Sequence, residues 1–211
     1  MSPPITFILE KGILRPIRKR PYIPGIMDRR FVIGMALSFS GKMKYALICL
    51  IVCGVSDLFD GMIARRCKRT DEEKEFGIEI DSLNDMVSFA LFPVIISLSM
   101  GFNAWYYIAV YSFYVLASIT RLGFFNVSAS TESETKFYTG LPVTFASLIV
   151  VCMFIIGKIT GIGNILIPIS IFVTGLLFIL KIKIMKPRGI AYIFLGLLAI
   201  ALLIAVILIG E

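Results

Sequence analysis

Long apolar runs separated by bunched charges are the feature that most constrains how this chain can fold. Of its 211 residues, 58% are hydrophobic and only 17% are charged. The mean hydropathy is +0.91. A soluble domain typically has about 45–50% apolar and about 25% charged residues. Because such a chain has too little polar surface to cover itself in water, we expect an all-α integral membrane protein.

Seven stretches are apolar and long enough to be candidate membrane-spanning helices, which need about 20 residues each. The first is the weakest, because Asp28, Arg29 and Arg30 stand at its start. No connecting segment is long enough to hold a separate fold, so the stretches predict one multi-pass domain. The predicted spans are 26–41, 45–66, 77–100, 103–125, 137–159, 162–181 and 188–210.

Basic residues predict the orientation of these spans. With the N-terminus in the cytoplasm, the inner segments and the span ends beside them hold 17 of the 21 Lys and Arg residues. Such an excess is typical of cytoplasmic loops. The inner segments are then 1–25, 67–76, 126–136 and 182–187.

The N-terminal segment contains a basic cluster but no unbroken apolar core of the kind that a removable signal peptide needs. We interpret residues 5–20 as an amphipathic segment on an anionic membrane surface, with a disordered basic tail as the alternative. The expected partners are membrane lipids and not nucleic acid. All four cysteines are interpreted as packing residues, because a zinc site without histidine would need an unusual ligand set.

Four aspartates lie within the second and third predicted spans: Asp57, Asp60, Asp81 and Asp85. Ionisable groups there cost several kcal/mol unless they are paired, hydrated or bound to metal. Helical spacing puts the first two on one face and the last two on another, and antiparallel neighbours bring both faces together. Four clustered carboxylates favour hard divalent cations such as Mg²⁺, Mn²⁺ or Ca²⁺. Such a cluster can hold two ions, as phosphoryl chemistry uses.

The residues around the second aspartate favour a bulky phosphate-bearing ligand. Gly61 and Ala64 leave bare backbone beside the acids, and Arg65 offers a cation for a phosphate. Spacing alone leaves two other interpretations open, a divalent-cation transporter and acids that only hold helices together.

The motif Asp57-x2-Asp60-Gly61-x2-Ala64-Arg65, followed by Gly77-x3-Asp81-x3-Asp85, resembles the signature of the CDP-alcohol phosphatidyltransferases. All eight signature positions match, and the likeness covers about residues 24–181. The spacer of eleven residues between Arg65 and Gly77 is longer than the family's usual spacer. The extra residues fall in a charged loop, where insertions are tolerated.

The resemblance implies a six-helix core, commonly a homodimer, with a metal site open to the cytoplasm and to lipid. It divides the chain into a basic juxtamembrane segment (1–23), a catalytic transmembrane domain (24–181) and an additional transmembrane helix (182–211).

The resemblance also implies the roles of the signature residues. Asp57, Asp60 and Asp81 hold two divalent ions, Mg²⁺ or Mn²⁺, and Asp85 joins them and is the general base. The CDP-linked lipid contacts Asp57 and three further residues. Those three are Gly61, Ala64 and Arg65.

Three stretches resemble the phosphatidylserine synthase branch of the family. Residues 81–89 (DSLNDMVSF) match its D-S-L-x-D-x-V-S-F, residues 121–126 (RLGFFN) resemble R-L-x-R-F-N, and residues 140–142 match G-L-P. Phe124 and Thr144 depart from the branch pattern, as does the stretch 90–93. The resemblance implies transfer of a phosphatidyl or archaetidyl group to L-serine with release of CMP, a step of phospholipid biosynthesis.

Arg121 and Asn126 are the predicted acceptor-binding residues. Arg121 is the only cation well inside a late span, so it needs an anionic partner such as the serine carboxylate. An ion pair of Arg121 with one aspartate is the alternative, and a helix C-cap is the alternative for Asn126. Acceptors that carry phosphate, such as glycerol 3-phosphate or inositol phosphate, would call for more cations than these spans contain.

Overall fold

Eight α-helices, one π-helical segment and a two-stranded ribbon form the parts of the chain that the computed structural model describes, residues 24–66, 71–131, 137–185 and 190–209. Side chains are described for residues 30–57, 76–127, 140–182 and 194–209. The predicted N-terminal amphipathic segment and Cys67 lie outside the described residues. The helices are α1 Pro24–Phe39, α2 Met43–Arg66, α3 Asp71–Asp85, α4 Phe92–Ser99, α5 Trp105–Thr131, α6 Phe145–Thr160, α7 Leu166–Ile179 and α8 Ile190–Ile209.

Each predicted span contains a helix, so the expected all-α architecture is confirmed apart from one short ribbon. The prediction that residues 137–159 form one helical span was wrong at its start. Residues Phe137–Thr139 form strand β1, which pairs antiparallel with strand β2 at Lys183–Met185. Gly140 follows with a φ of +87°, and Pro142 comes next but one, so α6 begins only at Phe145.

Helices α3 and α4 are joined without a break by the π-helical segment Met86–Leu91. The Phe92 N–H donates to the carbonyl of Val87, five residues back, which is the π-helical pattern. Pro93 has no N–H for the carbonyl of Phe89, four residues back, so a regular α-helix would leave that carbonyl without its usual partner. The proline therefore explains why the backbone hydrogen bonds change from the α-helical to the π-helical pattern before Phe92.

The π-helical segment and α4 lie at the centre of the packing. Together they contact α1, α2, α5, α6 and α7, and α8 packs against α2 and α6. Phe89, Phe92 and Ile96 are fully buried there. Gly34 allows α1 to approach closely, because an added Cβ would collide with the Phe92 ring. The centre of the core is therefore formed by the continuation of α3, the helix whose last turns carry two of the signature acids.

Within the described part, two helical stretches are long and apolar enough to cross a bilayer, Phe76–Ser99 and Trp105–Val127. Large apolar side chains also point outward on the later helices, for example Phe172 on α7 and Phe194 on α8. Such surfaces are typical of contact with lipid. Shorter apolar helices occupy Arg30–Phe39, Phe145–Thr160, Leu166–Ile179 and Phe194–Ile209.

Three of the cysteines confirm the packing interpretation. Cys53 is buried in the core, and Cys49 and Cys152 are partly buried against it. All three are free thiols.

Candidate functional site

Three of the four predicted acids meet in space. Asp57 comes from α2, whereas Asp81 and Asp85 lie one turn apart on α3. One carboxylate oxygen from each residue lies within 4.8 Å of the other two. Asp57 and Asp85 are partly buried, and Asp81 is exposed at the edge of the cluster. The helical spacing in the sequence therefore predicted their meeting correctly.

The remaining signature residues of the second span follow Asp57 on the same helix. Asp60, Gly61, Ala64 and Arg65 all lie in the last turns of α2. Their side chains lie outside the described residues, so their predicted roles stay predictions.

The cluster fits a divalent cation by the chemistry of its donors. Its oxygens are the hard ligands that Mg²⁺ and Mn²⁺ favour. The carboxyl groups of Asp57 and Asp85 lie close together, with oxygens within 4.8 Å of each other. Carboxylates this close repel one another unless a proton or a cation lies between them. A cation would relieve that repulsion while keeping all three groups ionised.

Asp85 stands at the boundary between α3 and the π-helical segment. Its Oδ1 atom is buried and accepts no hydrogen bond within the described part of the chain. Four residues further along the chain, the carbonyl of Phe89 accepts a hydrogen bond of 2.5 Å from the hydroxyl of Tyr114 on α5. This is the carbonyl that Pro93 leaves without its α-helical partner, so Tyr114 stabilises the wide turn that follows Asp85.

Asn126 contacts the helix that carries two of the acids, although it is 41 residues beyond Asp85 in the chain. Its Nδ2 donates to the Ser82 hydroxyl at 2.9 Å, and the same hydroxyl lies 3.1 Å from its Oδ1. Ser82 follows Asp81 directly. The alternative that Asn126 caps a helix was wrong, because α5 continues to Thr131.

Arg121 is almost fully buried, with 5% of its surface exposed. Its Nε donates to the carbonyl of Leu141 at 2.9 Å, and its Nη2 donates to the carbonyl of Gly140 at 3.1 Å. The guanidinium carbon also lies 6.0 Å from the centre of the Phe125 ring. Arg121 therefore holds the turn between the ribbon and α6.

A second cation, Arg30, was missed as a site residue. Its Nη1 donates to the hydroxyl of Ser56 at 2.5 Å, which brings a guanidinium group next to the residue before Asp57. The available signal was the position of Arg30 at the start of an otherwise apolar span.

Comparisons with known proteins agree with this arrangement. The sequence profile of the CDP-alcohol phosphatidyltransferase family matches residues 29–176. The chain is 33% identical over 120 residues to the CDP-diacylglycerol–serine O-phosphatidyltransferase of Saccharomyces cerevisiae, covering 52% of this chain and 42% of the relative. It is 31% identical over 127 residues to the enzyme of the same name from Helicobacter pylori strain J99, covering 59% and 53%.

A relative whose name indicates a different lipid has a similar sequence identity to this chain. The archaetidylserine synthase of Methanothermobacter thermautotrophicus is 31% identical over 142 residues, covering 67% of this chain and 59% of the relative. The chain thus spans about half the length of the curated relatives it matches. The family match nevertheless covers most of the chain, including the three clustered acids and the packed core around them. On this basis, the chain is a member of the CDP-alcohol phosphatidyltransferase family.

Proposed function

We propose that this protein transfers a phosphatidyl or archaetidyl group from a CDP-linked lipid to the hydroxyl of L-serine and releases CMP. The observation that carries this proposal is the convergence of Asp57, Asp81 and Asp85 at the spacing of the family signature. The names of the relatives support serine as the acceptor, because they include both serine O-phosphatidyltransferases and an archaetidylserine synthase. The reaction would serve phospholipid biosynthesis.

The proposed architecture is a six-helix catalytic domain within residues 24–181, with α8 as an additional span in 182–211. Its six spans are α1, α2, the continuous helix from α3 through α4, α5, α6 and α7. The central packing of α4 supports this division. The distribution of Lys and Arg supports an N-terminus and an active site on the cytoplasmic side, with residues 1–23 on the membrane surface. A homodimer is proposed from the family resemblance.

In the proposed mechanism, Asp57, Asp60, Asp81 and Asp85 would hold two divalent ions, Mg²⁺ or Mn²⁺. When bound, such ions supply charge stabilisation for the phosphoryl oxygens. Asp57 also binds the CDP part of the lipid substrate, together with Gly61, Ala64 and Arg65. Arg65 supplies a fixed positive charge to the diphosphate.

Asp85 is the proposed general base. The serine hydroxyl gives its proton to Asp85, and the hydroxyl oxygen forms a bond to the phosphorus that carries the lipid. The bond between that phosphorus and the bridging oxygen breaks, and the oxygen leaves with CMP. The buried Oδ1 of Asp85, which has no hydrogen-bond partner in the described part, is suited to accept this proton.

Arg121 and Asn126 are the proposed residues of the acceptor side. Asn126 donates to Ser82, which lies between Asp81 and Asp85 in the sequence, and this contact supports a place for its amide group on the acceptor side. Arg121 is held by the carbonyls of Gly140 and Leu141, which supports a fixed position for its positive charge. Arg121→Ala should then raise the KM for serine. An unchanged KM would leave Arg121 with only a structural role.

The decisive experiment is CMP release by the purified protein with Mn²⁺ or Mg²⁺. CDP-diacylglycerol and CDP-archaeol are compared as donors, and serine, glycerol 3-phosphate and inositol phosphate as acceptors. We expect release that needs metal, CDP-lipid and serine together. Release with a phosphorylated acceptor would keep the metal site and exclude serine. Metal flux across sealed vesicles without any nucleotide would instead support the transporter hypothesis.

A further inference from the structure

We propose that Asn84 and Ser88 bind the ammonium group of the acceptor and so select an amino alcohol. This inference rests on the proposed function, because it names the part of the substrate that these two side chains recognise. Neither residue belongs to the metal-binding signature, and each lies within three positions of Asp85 in the sequence.

The starting observation is a set of buried polar atoms that lack partners. Among the described residues, Asn84 Oδ1, Asp85 Oδ1 and Ser88 Oγ are buried and make no hydrogen bond. Ser88 is only 1% exposed. A buried polar atom without a partner costs about 1–3 kcal/mol, so proteins seldom leave several together unless a ligand or water satisfies them.

Helix spacing places Ser88 on the same side as both Asn84 and Asp85. Ser88 is four residues after Asn84 and three after Asp85, and side chains at both spacings adjoin on a helix surface. The change to π-helix at Met86 widens the turn between them. The Tyr114 hydroxyl donates to the carbonyl of Phe89, the residue after Ser88. This hydrogen bond stabilises the backbone next to Ser88.

The chemistry of the group favours a cationic donor. Asn84 Oδ1 and Asp85 Oδ1 are acceptors only, and Ser88 Oγ can accept as well. A carboxylate or a phosphate brings only acceptors, so neither would satisfy Asn84 and Ser88. An ammonium group brings three donors, and it places a positive charge next to the Asp85 carboxylate. In serine the ammonium and the hydroxyl are on adjacent carbons. Binding the ammonium at Asn84 and Ser88 therefore presents the hydroxyl to Asp85.

The test compares serine with 3-hydroxypropionate, which is serine without its amino group. The wild-type protein should use serine far better. Ser88→Ala should raise the KM for serine roughly ten-fold or more, as expected for a hydrogen bond to a charged group. The same variant should leave the KM for 3-hydroxypropionate and the affinity for CDP-diacylglycerol unchanged. Asn84→Leu should act in the same direction.

The matched control is Ser97→Ala. Ser97 is also a fully buried serine on the same continuous helix, but its hydroxyl shares a hydrogen bond with Tyr111 at 2.7 Å. This variant should keep the KM for serine. An equal loss with Ser97→Ala and Ser88→Ala would mean that the change is one of stability, and it would overturn the proposal.

Different results would contradict the proposed function and the proposed ammonium site. If the wild-type protein releases no CMP with serine, the proposed function fails. If serine is the acceptor but both Asn84→Leu and Ser88→Ala keep its KM and its preference over 3-hydroxypropionate, the ammonium site is wrong and the proposed function stands.

Discussion

The Asn126 amide and the Ser82 hydroxyl form a reciprocal contact that joins α5 to the acidic helix, with Nδ2 to Oγ at 2.9 Å and Oγ to Oδ1 at 3.1 Å. Ser82 follows Asp81 directly on α3 and precedes Asp85 by three residues. The contact therefore fixes α5 against α3 next to Asp81, one of the three clustered acids. This contact makes Asn126 a positioning residue in addition to its proposed place on the acceptor side.

The contact between Asn126 and Ser82 predicts non-additive mutations. Asn126→Ala and Ser82→Ala should each lower the rate of CMP release, and the double variant should lose little more than the worse single variant. Residues in direct contact typically couple by about 0.5–3 kcal/mol. The measurement is a double-mutant cycle on kcat/KM at saturating CDP-lipid. Strictly additive losses would show that the two side chains act independently.

Removal of the proposed general base should separate binding from chemistry. Asp85→Asn keeps the size of the side chain but removes its capacity to take a proton. We expect CMP release to fall by about 10²–10⁴-fold, the usual contribution of a positioned acid or base. Binding of the CDP-lipid, measured by titration calorimetry in detergent, should stay within a few-fold of the wild type. Normal turnover in this variant would contradict the assignment of Asp85 as the general base.

Metal removal should abolish turnover, and the addition of ions that suit oxygen ligands should restore it. After dialysis against EDTA, CMP release should be lost and should return with Mn²⁺ or Mg²⁺. Asp81→Asn should raise the metal concentration needed for half-maximal activity, because Asp81 contributes an oxygen to the cluster. Glu79→Gln is a suitable control, since Glu79 is an exposed acid on the same helix outside the cluster. Equal metal requirements for both variants would contradict the site.

The meeting of the acids could be predicted from sequence, but their surroundings could not. Four-residue spacing on one helix is a local property, so the shared face of Asp81 and Asp85 follows directly from it. The partner of Ser82 is 44 residues away, and it depends on which helices pack together. Pro93 interrupts the regular helix, and the donor to the carbonyl that it leaves, Tyr114, comes from α5.

Hydrophobicity also could not locate the start of α6. Residues 137–159 are apolar enough for a span, yet the first three pair as a strand with β2. The positive φ of Gly140 and the carbonyls that Arg121 binds depend on tertiary contacts, which hydropathy does not record.

The Tyr114 hydroxyl should contribute measurably to stability. Tyr114→Phe leaves the ring in place but deprives the carbonyl of Phe89 of its donor, in a fully buried position. A buried group left without its partner costs about 1–3 kcal/mol. The melting temperature in detergent should drop, and the serine reaction should slow because the turn beyond Asp85 loosens. Tyr106→Phe, at an exposed ring on the same helix, should change neither quantity.

Gly140 should tolerate no side chain, because both its conformation and its surroundings exclude one. Its φ of +87° costs an L-residue about 1–2 kcal/mol. An added Cβ would also lie 3.2 Å from the Nε of Arg121 and 3.2 Å from the carbonyl oxygen of Phe178. Gly140→Ala should therefore lower the melting temperature and disturb Arg121, with a raised KM for serine. Gly196→Ala on α8 is the matched control: its Cβ meets nothing within 4 Å, and alanine favours a helix by about 0.5–1 kcal/mol. If both variants melt at the wild-type temperature, the turn at Gly140 is not the constraint that its geometry indicates, and Arg121 is held by other contacts.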